Sequence, residues 1–303
     1  MAVGSIYMNI GAVRNRGVEF NIKGVVIDKD DLKLDLSLNI ASNQNRVTSL
    51  VPQGAVVNSS GTTVQGSGNE VLAVGYPMGS FFGYEYNGII KNAQTITDLN
   101  NLAKSKGFTY YDGNALYVGQ LEYRDMNGDG TITTTDRTII GSPDPDLFGG
   151  LTASLTWKQF NIFANFGYQL GGSKIYGKSL QNLPAQLSGL VDFNLYNRWS
   201  PENPDATIPA SYLEEGVARM NRLQIFDASY FRLQDIRITY SLPKLKTINM
   251  LGQIYISATN LFTITSYPGV DPATVNTFGN YGGNYESSYP GLRTFSCGLK
   301  LNF

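Results

Sequence analysis

Asp125, Asn127 and Asp129 place side-chain oxygens at alternate positions of one short stretch, Asp125-Met126-Asn127-Gly128-Asp129-Gly130-Thr131-Ile132-Thr133-Thr134-Thr135-Asp136. Gly130 takes the sixth position, an aliphatic residue the eighth, and Asp136 closes the twelfth. A hard Ca2+ ion requires this order: oxygen ligands at loop positions 1, 3 and 5, a glycine turn at 6, a carbonyl at 7 and a carboxylate at 12. In that scheme Asp125, Asn127, Asp129 and Asp136 ligate through side chains and Thr131 through its backbone carbonyl. Thr133 acts through its hydroxyl or a water. Asp136 is shorter than the usual glutamate, which opens the loop to Mg2+ or to weaker Ca2+ binding. The competing reading is a run of Asx and glycine turns with no metal. Leu121-Glu122-Tyr123 before the loop is of extended type, and Gly141-Ser142-Pro143-Asp144-Pro145 after it cannot continue a helix. A calcium loop set among strands pins a loop rather than sensing a signal, so the expected cofactor is a structural Ca2+.

Other reactive chemistry is scarce. The 303 residues include no histidine, which removes Ser-His-Asp and Cys-His catalysis, HExxH zinc chemistry and any imidazole switch. Glu214 and Glu215 are adjacent and do not face each other, so no carboxylate dyad stands out and no enzyme is expected. Cys297 is the single cysteine and allows no internal disulfide. With 23 basic against 24 acidic residues, neither nucleic-acid binding nor a polybasic membrane anchor is indicated. Met1 opens no signal peptide and no apolar run reaches transmembrane-helix length. The chain therefore reads as cytosolic or as a piece of a longer protein.

The elements that position these residues are strands. Leu32, Leu34, Leu36, Leu38 and Ile40 alternate with Lys33, Asp35, Ser37 and Asn39. Val18, Phe20 and Ile22 alternate with Glu19, Asn21 and Lys23, and Leu151, Ala153, Leu155 and Trp157 with Thr152, Ser154 and Thr156. The same period runs through 160–170, 235–242, 254–258 and 294–303. These strands are roughly 10–14 residues long, against the five or six usual in a soluble sheet. Connections are short at 28–31, 158–159 and 243–250 and long at 42–146, 171–228 and 265–289. Long alternating strands joined by short turns on one side and long loops on the other mark an outer-membrane β-barrel. A soluble sandwich or solenoid shares the alternation but calls for shorter strands and more even loops.

On this reading the fold is all-β, a transmembrane antiparallel barrel with long extracellular loops. The segment 42–146 forms an extracellular subdomain with an extended piece over Ser80–Ile90, a helix over Thr95–Lys106 and the metal loop 125–136. Seven strands leave two free edges. Hydrocarbon does not tolerate them, because each unpaired backbone group costs several kcal/mol. Further strands must come from an N-terminal region or a partner chain.

Several segments together resemble the SusC/RagA family of TonB-dependent receptors. Asn15-Arg16-Gly17-Val18-Glu19-Phe20 is similar to a strand opening of such receptors. Tyr123-Arg124-Asp125 through Asp136-Arg137 with Ile140-Gly141-Ser142-Pro143 matches a family segment. So do Arg198-Trp199-Ser200-Pro201-Glu202-Asn203-Pro204, Tyr230–Ile236 with Tyr240-Ser241-Leu242-Pro243, and Asn260-Leu261-Phe262. Phe303 on an amphipathic last strand resembles the assembly signal of outer-membrane barrels. The motifs fall in family order along nearly the whole chain.

The resemblance implies the C-terminal part, residues 1–303, of a barrel of about 22 strands with a plugged lumen. It implies import of glycans or peptides, a SusD-like lipoprotein lid, and TonB acting through the N-terminal region. The remaining partners are the rest of the receptor and outer-membrane lipid, and the implied location is the cell outer membrane. The alternative is a secreted soluble β-protein or carbohydrate-binding module with a dockerin-like calcium loop. That would call for a second such loop and a following helix, which the chain lacks. Arg198–Pro204 reads either as a lid contact or as a turn with Trp199 filling its own small core. Tyr281, Tyr285 and Tyr289 read as a sugar-stacking platform or as a mobile loop with an interfacial girdle.

Overall fold

Period-two alternation produces one antiparallel sheet of seven long strands in chain order. They are β1 (Gly11–Lys29), β2 (Leu32–Leu50), β3 (Leu147–Trp157), β4 (Phe160–Leu170), β5 (Tyr230–Ser241), β6 (Leu251–Thr265) and β7 (Thr294–Asn302). The structure is a computed structural model that describes residues 11–50, 55–57, 62–65, 69–111, 115–176, 197–210, 219–243, 251–274 and 290–302. No helix among these residues is long and apolar enough to cross a membrane.

The register carries single rows of one chemical type across all seven strands. One row is Ile27, Leu34, Leu155, Ile162, Ile238, Ile256 and Cys297. The opposite face carries Lys23, Ser37, Thr152, Asn165, Asp235, Thr259 and Thr294. Register shifts between Asn165 and Phe166 on β4 and between Leu233 and Asp235 on β5 set Gln234 on β5, and Asn260 and Leu261 opposite it on β6, outside the pairing. Each strand thereby keeps its apolar residues on one side, where a simple slip would invert them. That side is open: Phe20, Ile22, Ile256, Ile264, Phe295 and Leu299 are all at least half exposed. A soluble sheet buries such a face against a second layer, and none of the described elements covers this one.

Aromatic rings cluster toward both ends of the apolar face. Phe160 lies 6.1 Å from Trp157 and 4.8 Å from Tyr240 at one end. Phe166 stacks on Phe231 at 5.1 Å toward the other. The sheet is not closed, since β1 and β7 each have a single neighbour.

β2 continues to Leu50, past the end expected near residue 41. β3 stops pairing at Ala41, and above that point the turn at 75–76 takes over its edge. Val47 N donates to Tyr76 O and Gly75 N to Val47 O, both at 2.9 Å. The segment between β2 and β3 then folds on itself. Short strands Ser80–Gly83 and Tyr86–Ile89 replace the single extended piece, because the backbone partner changes from Thr138 at Gly83 to Met220 at Tyr84 and Arg124 at Glu85. The helix α1 spans Ala93–Ser105, capped by Asn92 Oδ1 accepting from Thr95 N at 2.9 Å.

Candidate functional site

The loop 125–136 leaves the short strand Leu121–Tyr123 and returns through one 3-10 turn, Thr134–Asp136. Its own side chains shape it. Asp125 Oδ1 and Oδ2 accept from Gly128 N and Gly130 N at 2.6 and 2.7 Å. Asn127 Oδ1 accepts from Asp129 N, and Asp129 Oδ1 from Thr131 N, both at 2.9 Å. Asp136 has no exposed surface and closes the loop by accepting from Met126 N at 2.9 Å and Thr133 N at 2.7 Å. Gly128 and Gly130 take φ values of +73° and +92°, where a side chain is strained.

Burial raises the Asp136 carboxyl above its ordinary range. The two backbone N–H groups oppose the rise, and the charges of Asp125 and Asp129 add to it. Each carboxylate oxygen keeps a further lone pair beside its N–H bond, so the donor chemistry suits a hard cation. Among the described residues, no group of three or more His, Cys, Asp or Glu is gathered closely enough to hold a metal. The loop geometry is thus carried by hydrogen bonds that a cation would supplement.

The loop rests on a tyrosine core. Ile132, fully buried, donates its N–H to Tyr110 O at 2.6 Å, and Lys106 at the end of α1 donates to Gly128 O. Tyr110 and Tyr111 hydroxyls donate to Tyr123 O and Leu121 O at 2.5 and 2.9 Å. Arg219, from the connection between β4 and β5, enters this core. Its guanidinium lies 5.0, 5.3 and 5.9 Å from the ring centres of Tyr111, Tyr84 and Tyr123, and it donates to Ile132 O at 3.4 Å.

The backbone follows Arg219, with Tyr84 N donating to Met220 O at 2.8 Å. Trp199, 9% exposed, packs over Gly119, where a Cβ would come within 2.6 Å of its ring. Trp199 therefore fills a core between two connections and is not presented to a partner. The two long connections make one unit.

A second junction ties the next connection to the sheet. Lys174, 2% exposed, donates to Asp271 O, Pro272 O and Thr274 O at 3.0, 3.1 and 2.6 Å. Burial pulls its pKa down to about 8, against the raising effect of Asp271. Arg232 on β5 pairs with Asp271 and donates through Nε to Thr263 Oγ1 at 2.8 Å. On the polar face Arg237 lies 3.9 Å over the Tyr255 ring. Thr152 Oγ1 bonds Asn165 Oδ1, whose amide donates to Gln234. This face is a ladder of hydroxyls, amides and charges of the kind that lines a water-filled lumen.

No family model matches the sequence. The chain is 31% identical over 313 aligned positions to TonB-dependent receptor P3 of Formosa agariphila, covering 99% of this chain and 30% of that protein. It is 29% identical over 304 positions to TonB-dependent receptor SusC of Bacteroides thetaiotaomicron, covering 97% and 27%. The chain belongs to the SusC/RagA type of TonB-dependent receptor. Its fold superimposes on the RagAB peptide transporter with a TM-score of 0.68 at 24% identity, over 98% of this chain and 30% of that one. The chain thus spans less than a third of the length of these relatives.

In this SusC/RagA-type segment the seven strands are an unclosed stretch of barrel wall, as the alternation indicates. Arg219, Lys174 and Asp271 give no local sign of their roles, since their partners lie in distant connections. Tyr281, Tyr285, Tyr289, Glu214, Glu215 and Phe303 lie outside the described residues.

Proposed function

We propose that the chain is the C-terminal part of a TonB-dependent outer-membrane transporter that imports glycans or peptides under a SusD-like lipoprotein lid. The observation that carries this reading is the apolar row crossing all seven strands, open to the outside, with a polar row behind it. Lipid covers the first row and water the second. The two unpaired edges are met by strands of the N-terminal part, which also supplies the plug and the contact to TonB. The unit built from 42–146 and the β4–β5 connection lies outside the cell and receives the lid. The secreted-module alternative is not favoured, since it leaves the apolar row uncovered in water.

Within that unit the loop 125–136 draws Asp125, Asn127, Asp129, Asp136 and the Thr131 carbonyl round a structural cation, Ca2+ or Mg2+, from a cation-free arrangement in which the acidic groups stand farther apart. What supports this is the donor order, the glycine turns and the mutual repulsion of three acidic groups that a cation relieves. Binding stabilises the loop by about 2.7 kcal/mol when the free ion stands a hundredfold above its dissociation constant.

One preparation tests both statements. The full receptor is affinity-purified from outer membranes in detergent, with calcium or with chelator. A SusD-like lipoprotein is expected to co-purify with calcium present. Chelation, like Asp125→Ala with Asp129→Ala, is expected to speed proteolysis of 42–146 and weaken retention of the lipoprotein. Purification of the receptor alone under both conditions contradicts the lid, and identical proteolysis in both makes the loop a metal-free turn.

A further inference from the structure

Near the end of the sheet that carries the long connections, the polar face opens into a cavity of about 310 Å3 lined in part by Arg232, Asn260, Asp271, Gly291 and Arg293. Arg232 stands on that face in register with Gly167 and Thr263, and it is held on two sides. Nη2 pairs with Asp271 and Nε donates to Thr263 Oγ1. Asp271 is itself held in place, its Oδ1 also accepting from Ala273 N at 2.8 Å and its Oδ2 from Gly291 N at 3.4 Å. Among the described residues, nothing accepts from Arg232 Nη1, and the exposed Arg293 has neither an ion-pair nor a hydrogen-bond partner. Lys174 adds a third positive charge behind the same turn, against the single charge of Asp271.

The space beside Nη1 depends on a glycine. A Cβ on Gly291 would sit 3.9 Å from Arg232 Nη1 and 3.1 Å from Asn260 Nδ2. Asn260 holds the other side in the left-handed region at φ +49°, with its amide donating to Leu292 O at 3.1 Å. One fixed and one free guanidinium facing a cavity repel each other until an anion bridges them, and the planar donor fork matches a carboxylate.

We propose that this cavity is a subsite for a carboxylate group of the transported substrate, bridged by Arg232 Nη1 and Arg293. The proposal rests on the transport reading and deepens it to substrates that carry acidic groups. The carboxylate comes from a uronic acid or from an acidic side chain, and the arms of the test separate the two.

The full receptor, purified in detergent, is titrated calorimetrically with tetragalacturonate and its methyl ester. A second arm uses an acetylated, amidated tetrapeptide with two glutamates and its glutamine counterpart. The acidic form of one pair is expected to bind at least tenfold more tightly than the neutral form. Arg293→Gln is expected to remove about tenfold of that preference, and Gly291→Ala to act in the same direction. Arg293 is exposed, so heat-modifiable mobility of the Gln variant should be unchanged. Equal binding of acidic and neutral forms in both arms, no binding of either acidic probe, or a preference that Arg293→Gln leaves intact overturns the proposal. A wild-type receptor that fails to reach the outer membrane would instead count against the transport reading itself.

Discussion

Ile256→Arg is expected to remove most of the folded receptor from the outer membrane, while Ser257→Glu leaves it in place. Ile256 sits in the middle of the apolar row between Ile238 and Cys297 and is 55% exposed. An arginine at the lipid midplane of a barrel costs about 2–4 kcal/mol. Ser257, one residue along, faces the other way and pairs with Arg237 and Ser296. A carboxylate there meets water and a nearby cation. The heat-modifiable fraction in isolated outer membranes reads the difference. Equal amounts of the two variants would mean that the exposed apolar face does not meet lipid.

Arg219→Ala is expected to loosen the unit outside the barrel without affecting the wall. The side chain is half-buried against three tyrosine rings and bonds Ile132 O. The cation–π contribution of such a site is about 1–2 kcal/mol, and the hydrogen bond adds about 1 kcal/mol. Cleavage of 42–146 by an added protease should therefore rise by roughly tenfold or more. Arg219→Lys keeps the charge but loses the planar stack and should fall between the two. Unchanged cleavage in Arg219→Ala would show that the unit is held by its backbone pairing at Tyr84 and Met220 alone.

The wall was legible because alternation is a direct record of which side each residue faces. Leu34, Leu155 and Ile238 could be assigned to one face without knowing which strands meet. The loop 125–136 was legible as a turn because its bonds close over a few residues, Asp125 reaching Gly128 and Gly130. β2 beyond Ala41 was not legible, since Ser42, Asn43, Gln44 and Asn45 are polar on both faces; they stay paired with Val18 to Asn15 of β1, and the turn at 75–76 meets the other edge only at Val47. Arg219 and Lys174 were hidden by separation: their acceptors Ile132 and Asp271 lie 87 and 97 positions away. The tyrosines of the core show no period that marks them as neighbours.

The central claim is that one face of this sheet lies in lipid and the other in a watery lumen. Single-cysteine spin labels along β6 of the full receptor, in a Cys297→Ser background and in membranes, test it most directly. Labels at Ile254 and Ile256 should be relaxed by oxygen dissolved in the bilayer. Labels at Gln253, Tyr255 and Ser257, in register with Ser241, Thr239 and Arg237, should be relaxed by a water-soluble nickel chelate. A period of two between the two relaxing agents is the predicted result. Equal access of the nickel chelate to all five positions would contradict the membrane barrel.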